Sequence, residues 1–160
     1  MRKLLAIITG VLLAITSVTA IADYTVDIGK IRAKTAQDIV LTLSEDPTMK
    51  PEVACLVLTM GQFLRASSPK VNVTVFLKND GVILADAATI GLVSDLCQTP
   101  QGAFTLEENL NAFIDGNPNN LVNCPICWGT RFGEQVPDYG ILNSNAIPPL
   151  LLGADKVIDF

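Results

Sequence analysis

Two apolar, β-branched runs flank one amphipathic segment, and that order constrains the fold more than anything else in the chain. Residues 38–44 (DIVLTLS) and 71–77 (VNVTVFL) have the length and composition of buried strands. Asp46-Pro47 stops the first run. Residues 51–65 place Val53, Ala54, Val57, Leu58, Met60 and Leu64 on one broad face, with Pro51 in the first turn and Arg65 at the end, as a helix requires. The second run alternates and then turns wholly apolar, the pattern of a strand entering the middle of a sheet. Strand, helix, strand is a βαβ unit, which implies a parallel sheet with a right-handed crossover. The predicted class is α/β.

The rest of the chain extends that pattern. Residues 82–88 read as a turn into a short helix. Residues 90–102 are ambiguous, broken by Gly91, Pro100 and Gly102. Thr105 and Glu108 form a capping box ahead of a helix whose apolar face is Leu106, Leu110, Phe113 and Ile114, and Gly116 ends it. Residues 121–124 read as a short strand, residues 141–152 as loop and helix across Pro148-Pro149, and residues 156–160 as the last strand.

The first residues are of a different kind. Arg2 and Lys3 precede an apolar run over residues 4–18, and Ala20-Ile21-Ala22 offers small residues where a signal peptidase reads. Residues 1–22 are therefore expected to be a cleaved signal peptide and residues 23–160 one exported, periplasmic domain. Cutting after Ala20 is an alternative, as is an uncleaved anchor, although the run is short for a span of ~20 residues. Residues 23–34 read as a polar leader with an edge strand near 24–28. The formal charge of the whole chain is −5, and losing Arg2 and Lys3 makes it more acidic still. Such a balance argues against nucleic acid and against anionic membrane after cleavage, because nothing would neutralise phosphates.

Chemistry concentrates at Cys124-Pro125-Ile126-Cys127, in a chain with no histidine. That absence removes Ser-His-Asp triads, Cys-His pairs and His-ligated zinc. Two thiols three positions apart share a proton, close a disulfide, or hold a metal or sulfur atom. A helix starting at Cys124 would aim free N–H groups at its sulfur, and Arg131, two turns on, would add positive charge on that side. Trp128 is placed to shield the site from water. Asn79-Asp80-Gly81 follows the second strand at the carboxyl edge, where α/β proteins keep their ligand-handling loops. A structural Cys124–Cys127 disulfide is the competing reading. Zinc would need a second ligand pair, and Cys55 and Cys97 are not spaced as one. Cys55 reads as a small buried hydrophobe on the first helix, and Cys97 as an inert half-buried residue or a resolving thiol. No phosphate loop or dinucleotide fingerprint is present, and neither a metal nor another cofactor is implied.

Residues 38–44, the helix after them, Val73 to Leu77 with Asn79-Asp80-Gly81-Val82, Asn123 to Cys127 with Arg131, and the closing Ala154 to Phe160 together resemble the DsrE/DsrF-like sulfur-relay family. The resemblance covers nearly all of residues 23–160. It implies a three-layer α/β/α domain with a central, mostly parallel sheet, assembled as homo- or hetero-oligomers. It also implies that the thiol at Cys124 carries sulfur as a persulfide, with Cys127 and Arg131 matching the family pattern. Phe132 departs from that pattern, as does the signal peptide. The expected function is a periplasmic sulfur carrier, or sulfurtransferase-like protein, exchanging with donor and acceptor proteins or small sulfane compounds. Two alternatives stay open: a thiol-disulfide redox protein cycling Cys124 and Cys127, and a non-enzymatic module binding a ligand or partner at the Asp80/Cys124 edge.

Overall fold

The computed structural model describes residues 35–160; the expected signal peptide and the leader strand near residues 24–28 lie outside them. The two apolar runs are parallel neighbours, β1 (Gln37–Leu43) and β2 (Val71–Leu77), paired in register from Gln37 opposite Val71 to Leu43 opposite Leu77. The crossover between them is α1 (Pro51–Ser67), with Pro51 in its first turn, Arg65 in its last, and two residues more than its periodicity foretold. Three shorter strands complete the sheet, namely β5 (Leu121–Asn123), β6 (Ile141–Leu142) and β7 (Lys156–Asp159). Its order is β6-β5-β2-β1-β7, and each neighbouring pair in it is parallel.

Alternation along β1 and β2 decides what each face packs against. Ile39, Leu41, Leu43, Val73, Val75 and Leu77 join one buried cluster with Val57 and Leu58 of α1. The same cluster takes in Leu106, Leu110 and Phe113 of α3 (Leu106–Ile114) and Trp128 of α4 (Pro125–Phe132). Val40, Phe76 and Val122 face the other way, against Ile147, Leu150 and Ala154 in and beside α5 (Ile147–Gly153). Helices cover both faces, so the architecture is three-layered as expected, with the smaller cluster under α5.

The ambiguous stretch after the short helix α2 (Ala87–Ile90) is an antiparallel hairpin, β3 (Leu96–Thr99) with β4 (Gly102–Thr105). The breakers Pro100 and Gly102 mark its turn and the start of its second strand. Thr105 then caps α3 through the full capping box with Glu108, and Asp115 closes that helix in the left-handed conformation just before Gly116.

Two expectations about cysteine need correction here. Cys55 and Cys97 form a disulfide joining α1 to β3. Cys55 is buried on α1 as its position suggested, but as half of a cross-link. Cys97 is 1% exposed, so it is neither half-buried nor a resolving thiol. The pairing arises because the hairpin folds back over α1, a contact that local sequence patterns do not encode. An even count of four cysteines in a chain expected to be exported was the available hint.

Candidate functional site

A parallel sheet delivers the carboxyl ends of its strands to one edge, and that edge gathers the residues singled out above. Asn123 ends β5 wholly buried, and its side-chain amide donates to the carbonyls of Tyr139 (3.0 Å) and Ile141 (3.3 Å), fixing the neighbouring segment. Cys124 follows. Its N–H donates to the Leu77 carbonyl at 2.9 Å, carrying the β2–β5 pairing one residue past the strand. Cys124 is also the N-cap of α4, with Pro125 in the first turn, where a missing N–H costs nothing.

The two thiols are free and half-buried. Cys127 Sγ–H donates to Cys124 Sγ at 3.0 Å, and the Asn79 N–H donates to Cys127 Sγ at 3.2 Å. The relay therefore runs from backbone to Cys127 and from Cys127 to Cys124. Helix-start N–H groups were expected to reach the first sulfur directly, yet the Cys124 side chain accepts no such capping bond. The amide that matters comes instead from the first residue of the 3-10 helix Asn79–Ala85, the connection that leaves β2. Burial pushes the Cys127 thiol up, the hydrogen bond to Cys124 adds to this, and the Asn79 N–H opposes it. Cys127 accordingly keeps its proton and lends it to its neighbour.

Each residue of Asn79-Asp80-Gly81 has a separate task. Asn79 adopts φ +49°, an uncommon conformation outside glycine that asparagine tolerates, and it presents the N–H to sulfur. Asp80 forms an ion pair with Arg131. Gly81 seats the loop on the end of β1, its N–H meeting the carbonyls of Lys78 (2.9 Å) and Ser44 (3.2 Å). A Cβ at Gly81 would lie 2.7 Å from the Leu43 carbonyl carbon and closer still to its oxygen. Only glycine fits there.

Arg131, four residues after Cys127 on the same helix, is engaged with that carboxylate. Lys78 is engaged too, pairing with Asp159 at 2.9 Å. Thr42 donates to the same Asp159 oxygen, and these partners, the Thr42 hydrogen bond first, hold the Asp159 carboxyl below its usual range. Sequence spacing signalled neither carboxylate partner, because each pair spans elements far apart in the chain. Trp128 is 1% exposed, in the core cluster against which both thiols pack, and it anchors α4: it stacks on Phe132 at 4.2 Å, and its Nε1–H donates to the Gln135 carbonyl. Between the cysteines, Ile126 is 82% exposed.

With a neutral alkylating agent near neutral pH, Cys124 is expected to react first. Cys127 should follow only as the pH rises through its elevated range, because a raised thiol value means less thiolate at a given pH. Cys55 and Cys97 stay unlabelled without reductant. Peptide mapping across a pH series checks this, and equal labelling of both motif cysteines throughout would contradict it.

The fold and site define an α/β domain with a dithiol at the carboxyl edge of a parallel sheet. No protein-family model matches the chain, and no curated protein matches it. Among solved structures it is similar to the crystal structure of the ychN protein from E. coli, with a TM-score of 0.57 and 21% identity, over 78% of this chain and 99% of that one. That likeness is one of fold. Among the described residues, no helix is long and apolar enough to cross a membrane, and no three or more Cys, Asp or Glu side chains group to hold a metal ion.

Proposed function

We propose that the chain is an exported sulfur carrier that holds sulfane sulfur as a persulfide on Cys124. The observation that carries this reading is the hydrogen bond from Cys127 to Cys124, which stabilises negative charge on the sulfur at the sheet edge. The likeness of fold to ychN supports it, as does the resemblance of residues 38–160 to the DsrE/DsrF-like pattern. The buried Cys55–Cys97 disulfide supports export, since such bonds persist in oxidising compartments.

In the loading step, Cys124 thiolate attacks the outer sulfur of a sulfane donor such as thiosulfate. The donor's S–S bond breaks, sulfite leaves with the electron pair, and the transferred atom becomes the anionic outer sulfur of the persulfide. Unloading takes one of two routes. An acceptor thiolate attacks the outer sulfur and regenerates Cys124 thiolate. Alternatively, Cys127 attacks the inner sulfur, closing the Cys124–Cys127 disulfide and releasing hydrosulfide, after which a dithiol reductant must reopen the pair. Donor and acceptor proteins would dock at this edge, where Ile126 projects.

Intact-mass measurement on protein recovered from the exported fraction, before and after thiosulfate treatment, tests both parts. Loss of residues 1–22 is expected, with an adduct of ~32 Da, one sulfur atom, on a single cysteine. Cys124→Ser should abolish the adduct and Cys127→Ser should keep it. An adduct that survives Cys124→Ser puts the sulfur elsewhere. No adduct, with reversible cycling of the pair at a potential typical of exported oxidoreductases, would favour the thiol-disulfide redox reading instead.

A further inference from the structure

Arg131 has two claimants. On α4, Cys127 and Arg131 are four residues apart and share a face. Their partners, the Asn79 N–H and the Asp80 carboxylate, are consecutive in the loop. The sulfur contact and the ion pair therefore stand side by side, one helical turn apart. A guanidinium already paired with a carboxylate contributes little net potential to a neighbouring sulfur, because the two charges nearly cancel at that distance. Both side chains are partly exposed, Arg131 at 30% and Asp80 at 49%, so the pair is of the weakly held kind that opens at small cost. Lys78, the other cation of this edge, is engaged by Asp159.

We propose that Asp80 is a positioning residue that competes with the anionic sulfur for the Arg131 guanidinium, so that positive charge reaches the cysteine pair only when the Asp80–Arg131 ion pair opens. This inference rests on the persulfide reading for its purpose, since the charge it releases would stabilise the anionic outer sulfur. At rest the loop keeps the guanidinium neutralised and the dithiol sluggish. An anionic sulfur at Cys127, one helical turn from Arg131, would offer the fork of N–H donors a second acceptor once the ion pair opens. The loop that supplies the N–H to Cys127 thus also regulates the charge beside it, and Gly81 holds both tasks in one place.

The test measures the ultraviolet absorbance of the thiolate and the alkylation rate of the motif cysteines at fixed neutral pH, neither of which requires sulfur uptake. Asp80→Asn is expected to raise both by roughly two- to fivefold, the range open to one partly exposed ion pair. Asp80→Glu, which restores a carboxylate, brings them back towards the parent protein. In an Arg131→Gln background the same Asp80→Asn change should raise them clearly less, since only the like charge of Asp80 is removed and there is no guanidinium to release. Asp80→Ser serves as a second variant should the asparagine form fold poorly. An equal rise in both backgrounds would overturn the proposal, because Asp80 would then act as a bare like charge. So would an unchanged or slower reaction in the Asp80 variants, which would leave the ion pair as a staple for α4 alone. If the thiosulfate adduct is absent while this background dependence holds, the carrier reading fails and the competition for Arg131 stands.

Discussion

Removing the Cys55–Cys97 cross-link, by Cys97→Ala or by reductant, is expected to lower the unfolding free energy by about 4 kcal/mol. The bond closes a loop with a sequence separation of 42, and chain-entropy scaling for a loop of that size gives this magnitude. A domain of this kind has only about 5–15 kcal/mol in total, so the loss removes a large share of its stability. Two features argue against a smaller effect. Both cysteines lie in the main buried cluster, and the bond ties the β3–β4 hairpin to α1. Urea denaturation with and without reductant reads the difference directly, and the Cys97→Ala variant should show no further response to reductant. A midpoint that reductant does not move in the parent protein would mean that hairpin packing alone holds this region.

The second large effect is expected at Gly81. Gly81→Ala forces a methyl group into the Leu43 carbonyl at the end of β1, where backbone cannot yield as a side-chain tip would. Overpacking of this sort costs about 1–3 kcal/mol, and relief requires the loop to lift from β1. Lifting would withdraw the Asn79 N–H from Cys127 and strain the Asp80–Arg131 pair. The variant should therefore lose thermal stability and also blur the order in which Cys124 and Cys127 are alkylated. An equally destabilising change elsewhere, such as Val57→Ala in the α1 core, should lower stability without disturbing that order. Should Gly81→Ala leave the labelling order intact, the loop's seat on β1 would have no part in arranging the sulfur pair.

Much of the candidate site was legible because its residues are close in sequence or follow recognisable strands. The CxxC spacing, the strand before it and the position of Asn79-Asp80-Gly81 after β2 sufficed to place them at one edge. The sequence did not show which sulfur receives the backbone N–H. The expectation was Cys124, from the helix start that follows it. The contact goes to Cys127 because the loop after β2 bends across the first turn of α4. Nor did the sequence show that helical geometry turns the Trp128 side chain into the core, beneath the thiols that pack against the same cluster.

The order of apolar runs, the prolines and glycines between them and the Thr105 capping box determined by themselves the α/β class, the β1–α1–β2 crossover and the cysteine motif at a strand end. These are matters of local periodicity and turn chemistry, which a few neighbouring residues specify. Only the tertiary structure decided that Cys55 meets Cys97, that Asp80 claims Arg131 and that Asn79 serves Cys127. Each joins elements 42 to 51 residues apart. No local pattern encodes such a contact, because it exists only once the core has set the distance between the elements.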